Sequence, residues 1–154
     1  MGEFEFFNTG YEAIFAGLLS ACIAQSIKVL LYICTHKKIN FKIFTTTGGM
    51  PSSHTAGIIA LAVSVGLIEG FDSIPFAIAF GVSLIVMQDA SGIRRAAGKT
   101  AATLNRLVED LKKDDREIKP YETLMELLGH TPLEVFCGMI SGIIIPLIVH
   151  YFAS

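Results

Sequence analysis

Four long apolar stretches, separated by short polar segments, restrict this chain to very few folds. They cover residues 11–34, 51–69, 74–88 and 132–152. A helix needs about 20 residues to cross the ~30 Å hydrocarbon layer of a membrane. The first and last stretches reach that length, whereas the middle two are shorter and fit either two crossings or one re-entrant hairpin. We therefore predict an all-α, polytopic membrane bundle with about four membrane helices.

The composition agrees with one membrane-embedded unit. The chain has 154 residues, about the size of a single domain, and 52% of them are hydrophobic against 17% charged. We predict a single integral membrane domain over residues 1–154. The three cysteines show no spacing typical of a metal site or a disulfide, so we interpret them as packing residues.

Basic residues are segregated along the chain and predict its orientation. Eleven of the twelve lysines and arginines lie in the two segments that follow the first and third apolar stretches. They are Lys37, Lys38 and Lys42 in the first segment, and Arg94, Arg95, Lys99, Arg106, Lys112, Lys113, Arg116 and Lys119 in the second. Because basic loops stay in the cytoplasm, we predict that both segments are cytoplasmic, most simply in the cell (plasma) membrane.

The second basic segment, residues 89–131, is predicted to be a cytoplasmic-side loop containing an amphipathic helix. From residue 93 onward its apolar positions recur at helical spacing, which is typical of a helix lying on a membrane surface. A second short helix is predicted over residues 121–128, with Gly129 as its stop. In the last apolar stretch, Gly138 and Gly142 form a small-residue face suited to close helix packing.

The segment Thr47-Gly-Gly-Met-Pro-Ser-Ser-His-Thr-Ala56 has two interpretations. Two glycines allow a turn, and Pro51 suits the first turn of a helix, so the segment can aim unpaired N–H groups at an anion such as phosphate. His54 would then supply a group that exchanges a proton near neutral pH. The alternative is an ordinary helix start with a serine cap.

Two further polar features also allow two interpretations each. Thr131 and Glu134 form a capping box, which by itself explains Glu134, while His130 stands just outside that cap. Lys28 lies inside the first apolar stretch, about six residues from its cytoplasmic end. It either extends to the lipid headgroups or points into the bundle, where it would meet an anion.

The predicted topology brings these features to one side of the membrane. Two histidines, several basic residues and a helix N-terminus would meet there, a combination suited to phosphoryl transfer without a metal ion. In that chemistry, cations and N–H groups hold the phosphate oxygens, one histidine attacks phosphorus and another protonates the leaving group. A carboxylate beside the attacking histidine would fix its tautomer.

Three motifs in this chain resemble those of a known superfamily. Pro51-Ser-Ser-His54 resembles the Pro-Ser-Gly-His motif of the phosphatidic acid phosphatase type 2 superfamily, which also contains the vanadium haloperoxidases. His130-x-x-x-Glu134 resembles its final His-x-x-x-Asp motif. Together with Asp89-Ala-Ser-Gly-Ile-Arg-Arg-Ala-Ala-Gly-Lys99, the pattern looks like the divergent branch of that superfamily, over about residues 25–142.

The resemblance implies a role for each matching residue. His130 would be the nucleophile, Glu134 its orienting carboxylate and His54 the general acid. Ser52 and Ser53 would bind the phosphate. The predicted phosphate-binding set also includes Lys28, Asp89, Arg94, Arg95 and Lys99, which the predicted topology places on the same side of the membrane. The chain departs from the superfamily pattern in three respects. The candidates for the motif arginine, Arg94 and Arg95, precede His130 by about 35 residues instead of a few. The first motif, Lys-x6-Arg-Pro, is missing, and only Lys28 stands in for it. Ser53 replaces the motif glycine, and Glu134 replaces the motif aspartate.

The leading hypothesis is a metal-independent, membrane-embedded phosphatase for a lipid phosphate or an isoprenoid (pyro)phosphate at the cytoplasmic face, with no cofactor. The alternative is a non-catalytic or transport-type membrane protein that binds phosphorylated lipid headgroups. A third hypothesis makes Asp89 and Glu134 ligands of a divalent ion. The segment between the last two stretches has eight acidic against eight basic residues, which argues against nucleic acid. The predicted partners are the phosphorylated substrate and membrane lipids, and so small a bundle is compatible with a homo-oligomer.

Overall fold

The computed structural model describes residues 7–37, 48–113, 122–126 and 128–153. Within these ranges the chain is helical, without strands, as predicted for an all-α bundle. The helices are α1 (Gly10–His36), α2 (Ser53–Glu69), α3 (Ile74–Gln88), α4 (Arg94–Lys113) and α5 (Pro132–Ala153), with a π-helical turn (Asp89–Ile93) between α3 and α4.

Three helical stretches of the described chain are long and apolar enough to cross a membrane. They are α1, α5 and the continuous rod formed by α3, the π-helical turn and α4. The fourth apolar helix, α2, has 17 residues and is about 25 Å long, shorter than the ~30 Å hydrocarbon layer. The prediction of a polytopic membrane bundle is confirmed.

The core of the bundle is built from small side chains where α1, α2 and α5 meet. A Cβ on Gly17 would lie 3.2 Å from the Gly57 carbonyl oxygen, so α1 and α2 approach with almost no side chain between them. On the other face of α2, a Cβ on Gly138 would lie 2.6 Å from the Ser52 carbonyl oxygen. The predicted small-residue face of α5 therefore makes this contact, as expected where lipid provides no hydrophobic drive for association.

Large apolar side chains cover the outside of the bundle. In water such a surface would be unfavourable, whereas in a bilayer it is the surface that contacts acyl chains. Examples that are at least 60% exposed are Leu18, Leu30, Ile74, Ile78, Ile85 and Leu133.

The chain after α4 differs from its prediction. Residues 122–126 and 128 are not helical, so the short helix predicted over 121–128 is wrong for the part that the structure describes. Asn105 on α4 contributes to the difference, because its side-chain amide pairs with the main-chain groups of Leu124 that a helix would use. Its Nδ2 donates to the Leu124 carbonyl at 2.8 Å, and its Oδ1 accepts from the Leu124 N–H at 3.0 Å. Nδ2 also donates to Glu126 Oε1 at 2.8 Å.

At the opposite end of the bundle, α1 and α5 are joined by a buried polar contact. Glu12 is fully buried, and its Oε1 lies 3.0 Å from Nδ1 of His150. Its other oxygen accepts a hydrogen bond from the Asn8 N–H at 2.7 Å. Both carboxylate oxygens are thus satisfied, as a buried acidic group requires.

Candidate functional site

The site begins at the N-terminus of α2. Ser52 is the N-cap: its Oγ accepts from the Thr55 N–H at 3.3 Å and from the Thr55 hydroxyl at 3.0 Å. The helix therefore starts two residues after Pro51, and the interpretation of an ordinary serine cap is confirmed. The Ser52 N–H donates to the Glu134 carbonyl at 3.1 Å, which fastens this turn to the start of α5. Ser52 is fully buried, so its hydroxyl serves the cap.

The start of α5 carries the second part of the site. Thr131 Oγ1 accepts from the Glu134 N–H at 3.3 Å, and Glu134 Oε2 accepts from the Thr131 N–H at 3.0 Å. The predicted capping box is therefore present. The same Oε2 lies 3.2 Å from Nδ1 of His130. Glu134 thus serves both as the cap of α5 and as the partner of the histidine.

This contact determines the tautomer of His130. An ionised carboxylate only accepts hydrogen bonds, so Nδ1 must carry the hydrogen that it donates to Glu134. In the neutral ring, Nε2 then bears the lone pair. Nε2 is buried and has no hydrogen-bond partner among the described residues. A buried ring nitrogen with an unused lone pair is what a nucleophile needs before its substrate arrives.

The main chain around His130 is held by the π-helical turn. The His130 N–H donates to the Ala90 carbonyl at 2.8 Å. Gly129 adopts a φ of +80°, and a Cβ there would lie 2.7 Å from the carbonyl carbon of Arg94. Glycine is required because a side chain would overlap the main chain of α4 in a left-handed conformation.

His130 and His54 border one cavity of about 170 Å³. It lies where the N-terminus of α2, the end of α3, the π-helical turn and the start of α5 converge. The residues that line it are His54, Val86, Asp89, Ala90, Arg94, Gly129 and His130. The structure therefore brings two histidines and an arginine, far apart in sequence, to one cavity.

Arg94 is oriented by Asp89 at the edge of this cavity. The Arg94 Nε donates to Asp89 Oδ2 at 2.6 Å. Because the bond uses Nε alone, the two terminal nitrogens of the guanidinium remain for an anion. The Arg94 side chain is half exposed, so an anion reaches it from solvent.

Lys28 points into the bundle, and the headgroup interpretation is wrong for this residue. It is only 4% exposed, and a Cβ on Gly49 would lie 3.3 Å from its side chain, so its stem packs against the glycine turn. Its charge acts on Glu134, His54 and His130. A buried ammonium group near the site adds positive potential where a phosphate would bind.

The surroundings of His130 favour its neutral form. Burial is the largest influence and lowers the pKa of His130 below its usual range. The hydrogen bond with Glu134 acts in the opposite direction, and the charge of Lys28 lowers the pKa further. The neutral ring, with a lone pair on Nε2, is therefore the favoured form of His130 at neutral pH.

Five of the seven predicted phosphate-binding residues do not line this cavity: Lys28 and Ser52, described above, and Ser53, Arg95 and Lys99. On α4, each residue is rotated by about 100° around the helix axis relative to the one before it. Arg95 therefore lies about 100° and Lys99 about 140° from Arg94, so both side chains leave the helix on other faces. Lys99 is exposed. Ser53 lines a different cavity, between α1 and α2. The sequence pattern had grouped these residues by proximity along the chain, whereas helical rotation separates them.

Some residues of the cavity were not predicted to belong to it. Val86, Ala90 and Gly129 line it, and Ala90 also holds the main chain of His130. The π-helical turn that presents Ala90 has no clear sequence signature, although such turns are frequent at functional sites.

The described residues contain no group of three or more His, Cys, Asp or Glu side chains placed to hold a metal ion. Asp89 is bound to Arg94, while Glu134 contacts His130 and the Thr131 N–H. The arrangement of the site is thus that of two histidines, a carboxylate and cations around a small cavity, in a helical membrane protein.

Comparisons with known proteins agree with this class. The model of the Divergent PAP2 family matches residues 10–145, and the chain belongs to that family. It is 39% identical over 148 residues to the uncharacterized membrane protein YuiD of Bacillus subtilis (strain 168), covering 90% of this chain and 94% of that protein. No solved structure matches the chain. The resemblance to the divergent branch of the superfamily is confirmed.

Proposed function

We propose that this protein is a membrane-embedded phosphatase that hydrolyses a lipid phosphate or an isoprenoid (pyro)phosphate through a phosphohistidine intermediate. One observation carries the proposal. His130 holds Nδ1 against Glu134, and its buried Nε2, without a partner among the residues that the structure describes, lies beside a cavity that His130 shares with His54 and Arg94. Membership of the Divergent PAP2 family supports the reaction class.

In the first step, the Nε2 lone pair of His130 attacks phosphorus, and the bond between phosphorus and the leaving oxygen breaks. His54 donates a proton to that oxygen, so the lipid leaves as an alcohol, or as a monophosphate when the substrate is a diphosphate. Arg94 and Lys28 offset the charge on the phosphoryl oxygens. Glu134 stabilises the positive charge that develops on the ring of His130.

In the second step, water replaces the lipid. The neutral His54 removes a proton from water, whose oxygen attacks the phosphorus of phospho-His130. The N–P bond breaks, and the electron pair returns to Nε2. Inorganic phosphate leaves, and both histidines regain their starting protonation states, so a single round consumes one water molecule.

The segregation of basic residues supports a site at the cytoplasmic face, most simply of the plasma membrane. A site at the edge of a bilayer suits a substrate whose hydrocarbon tail stays in lipid while its phosphate enters the cavity.

The proposal is tested by measuring phosphate release from a panel of lipid and isoprenyl phosphates with purified wild-type protein and His130→Ala. Each reaction is run with and without EDTA, and with and without vanadate, which mimics the five-coordinate, trigonal-bipyramidal transition state of phosphoryl transfer. We expect release that resists EDTA, is blocked by vanadate and is lost in His130→Ala. The exposed lysine variant Lys113→Ala is the matched control and should retain activity.

Two other results would contradict the proposal. Release that is abolished by EDTA would indicate a metal-dependent hydrolase with Asp89 or Glu134 as ligands. Binding of lipid phosphate by both proteins, without release from any substrate, would indicate a binding or transport protein instead.

A further inference from the structure

We propose that the groove between α1 and α2 binds the hydrocarbon chain of the leaving group, and that only the part of the chain nearest the phosphate is bound. This inference rests on the proposed phosphatase function and adds to it a binding site for the tail. The groove has a volume of about 330 Å³. Its lining residues are Ile14, Gly17, Leu18, Ala21, Ser53, His54, Gly57, Ile58 and Leu61.

The groove exists because α1 and α2 approach closely. A Cβ on Gly57 would lie 3.2 Å from that of Ala21 and 3.3 Å from the Gly17 carbonyl oxygen, so small residues form its floor. The larger residues Leu18 and Ile58 form its walls on either side. Apart from Ser53 and His54 at one end, every lining side chain is apolar, which suits a hydrocarbon chain.

His54 connects this groove to the phosphate cavity, because it lines both. His130 lines only the cavity. In an in-line displacement, the attacking and leaving atoms lie on opposite sides of phosphorus. The attacking nitrogen belongs to His130, and the proton for the leaving oxygen comes from His54. The leaving group therefore departs on the His54 side, where the groove begins.

The α1 side of the groove is open to the bilayer. Ile14 and Leu18 on its rim are 53% and 63% exposed, so a tail can enter sideways from lipid. From Ser53 to Leu61 the groove follows eight residues of α2, about 12 Å. That is less than half of the ~30 Å hydrocarbon layer, so the remainder of a long tail stays in bulk lipid.

The first experiment measures kcat/KM in bilayer nanodiscs for butyl, octyl, dodecyl and hexadecyl phosphate, which differ only in chain length. We expect kcat/KM to rise from butyl to dodecyl phosphate and then to level off at hexadecyl phosphate. Leu18→Trp and Ile58→Trp, on opposite walls, should each lower kcat/KM for dodecyl phosphate by about tenfold or more while leaving butyl phosphate nearly unchanged. Leu30→Trp, an equally exposed position of α1 outside the groove, should alter neither.

Two kinetic results would contradict the assignment of the groove as the binding site of the tail without contradicting the proposed phosphatase function. One is a kcat/KM that does not depend on chain length, and the other is an equal loss for butyl and dodecyl phosphate in both tryptophan variants. If wild-type protein releases phosphate from no substrate, the proposed function fails, and the groove is tested by binding alone.

The binding test uses dodecyl phosphate with a diazirine in the middle of its chain, cross-linked to His130→Ala protein in nanodiscs. We expect cross-links at residues 14, 18, 58 and 61 that excess dodecyl phosphate suppresses and dodecane does not. Cross-links spread equally over the lipid-facing side of α3, at Ile78 and Ile85, would show that the groove has no preference for the tail and would overturn the inference.

Discussion

Glu134 Oε2 lies 3.2 Å from Nδ1 of His130, while the same oxygen accepts the Thr131 N–H at the start of α5. One carboxylate thus fixes both a helix terminus and the tautomer of a buried histidine. Because the capping box fixes the position of Glu134, the ring of His130 is held in a defined orientation, with Nε2 left without a partner among the described residues. This relationship leads to the first prediction.

The pH profile of phosphate release should respond in opposite directions to two substitutions. On the acidic side, release falls as His130 takes up a proton. Glu134→Gln removes the group that raises the pKa of His130, so the acidic limb should move to lower pH. Lys28→Met removes a charge that lowers this pKa, so the limb should move to higher pH. Rates measured between pH 4 and 8 test both.

The same Glu134→Gln variant should lower kcat by about 100-fold or more, because the developing imidazolium loses its stabilising charge and the tautomer is no longer fixed. Exposed Glu109→Gln is the matched control and should retain wild-type kcat. Movement of both acidic limbs in the same direction would contradict the assignment of His130 as the titrating group.

Close contact between α5 and the turn before α2 should not tolerate a methyl group. Gly138→Ala places a Cβ 2.6 Å from the Ser52 carbonyl oxygen, so α5 must move away and carry Glu134 with it. We expect a loss of about 1–3 kcal/mol in the free energy of unfolding, together with reduced phosphate release. Thermal unfolding in detergent measures the change in stability.

Gly81→Ala on α3 is the control for this experiment. A Cβ at Gly81 would have nothing within 4 Å, and alanine favours a helix by up to ~1 kcal/mol over glycine. We expect unchanged or slightly higher stability. Equal effects of the two substitutions would argue against the close contact.

Asn105 should be essential for the segment that precedes His130. Asn105→Ala removes the amide that both donates to and accepts from the main chain of Leu124. We expect the Leu124 N–H to lose about 1–3 kcal/mol of protection in hydrogen exchange, since it becomes an unpaired donor. Thr103→Ala, on the exposed side of α4, should leave that protection unchanged. Unaltered exchange in Asn105→Ala would show that the segment is held by other contacts.

The buried contact at the opposite end of the bundle should contribute to stability without affecting catalysis directly. Glu12→Ala removes the carboxylate that contacts His150 and accepts the Asn8 N–H. We expect a loss of about 3 kcal/mol in the free energy of unfolding, because a buried partner is removed. Exposed Glu69→Ala should change stability by less than about 0.5 kcal/mol. A neutral Glu12→Ala variant would indicate that the contact is replaced after substitution.

The sequence by itself determined the membrane class, the helical architecture and the capping box of Thr131 and Glu134, while the resemblance implied the pairing of Glu134 with His130. The length of an apolar stretch and the three-residue spacing of a capping box are local properties, and they do not depend on contacts with the rest of the chain. The motifs of the Divergent PAP2 family were also visible in the sequence, because each one occupies a short continuous segment.

Only the tertiary structure decided which charged residues surround the cavity. Helical rotation on α4 directs Arg94 to the site and Arg95 and Lys99 away from it, while the bundle encloses Lys28. The side chain of Asn105 replaced a predicted helix with an irregular segment, and a π-helical turn brought Ala90 to the main chain of His130. These outcomes depend on contacts between residues far apart in sequence, and local propensity carries no information about such contacts.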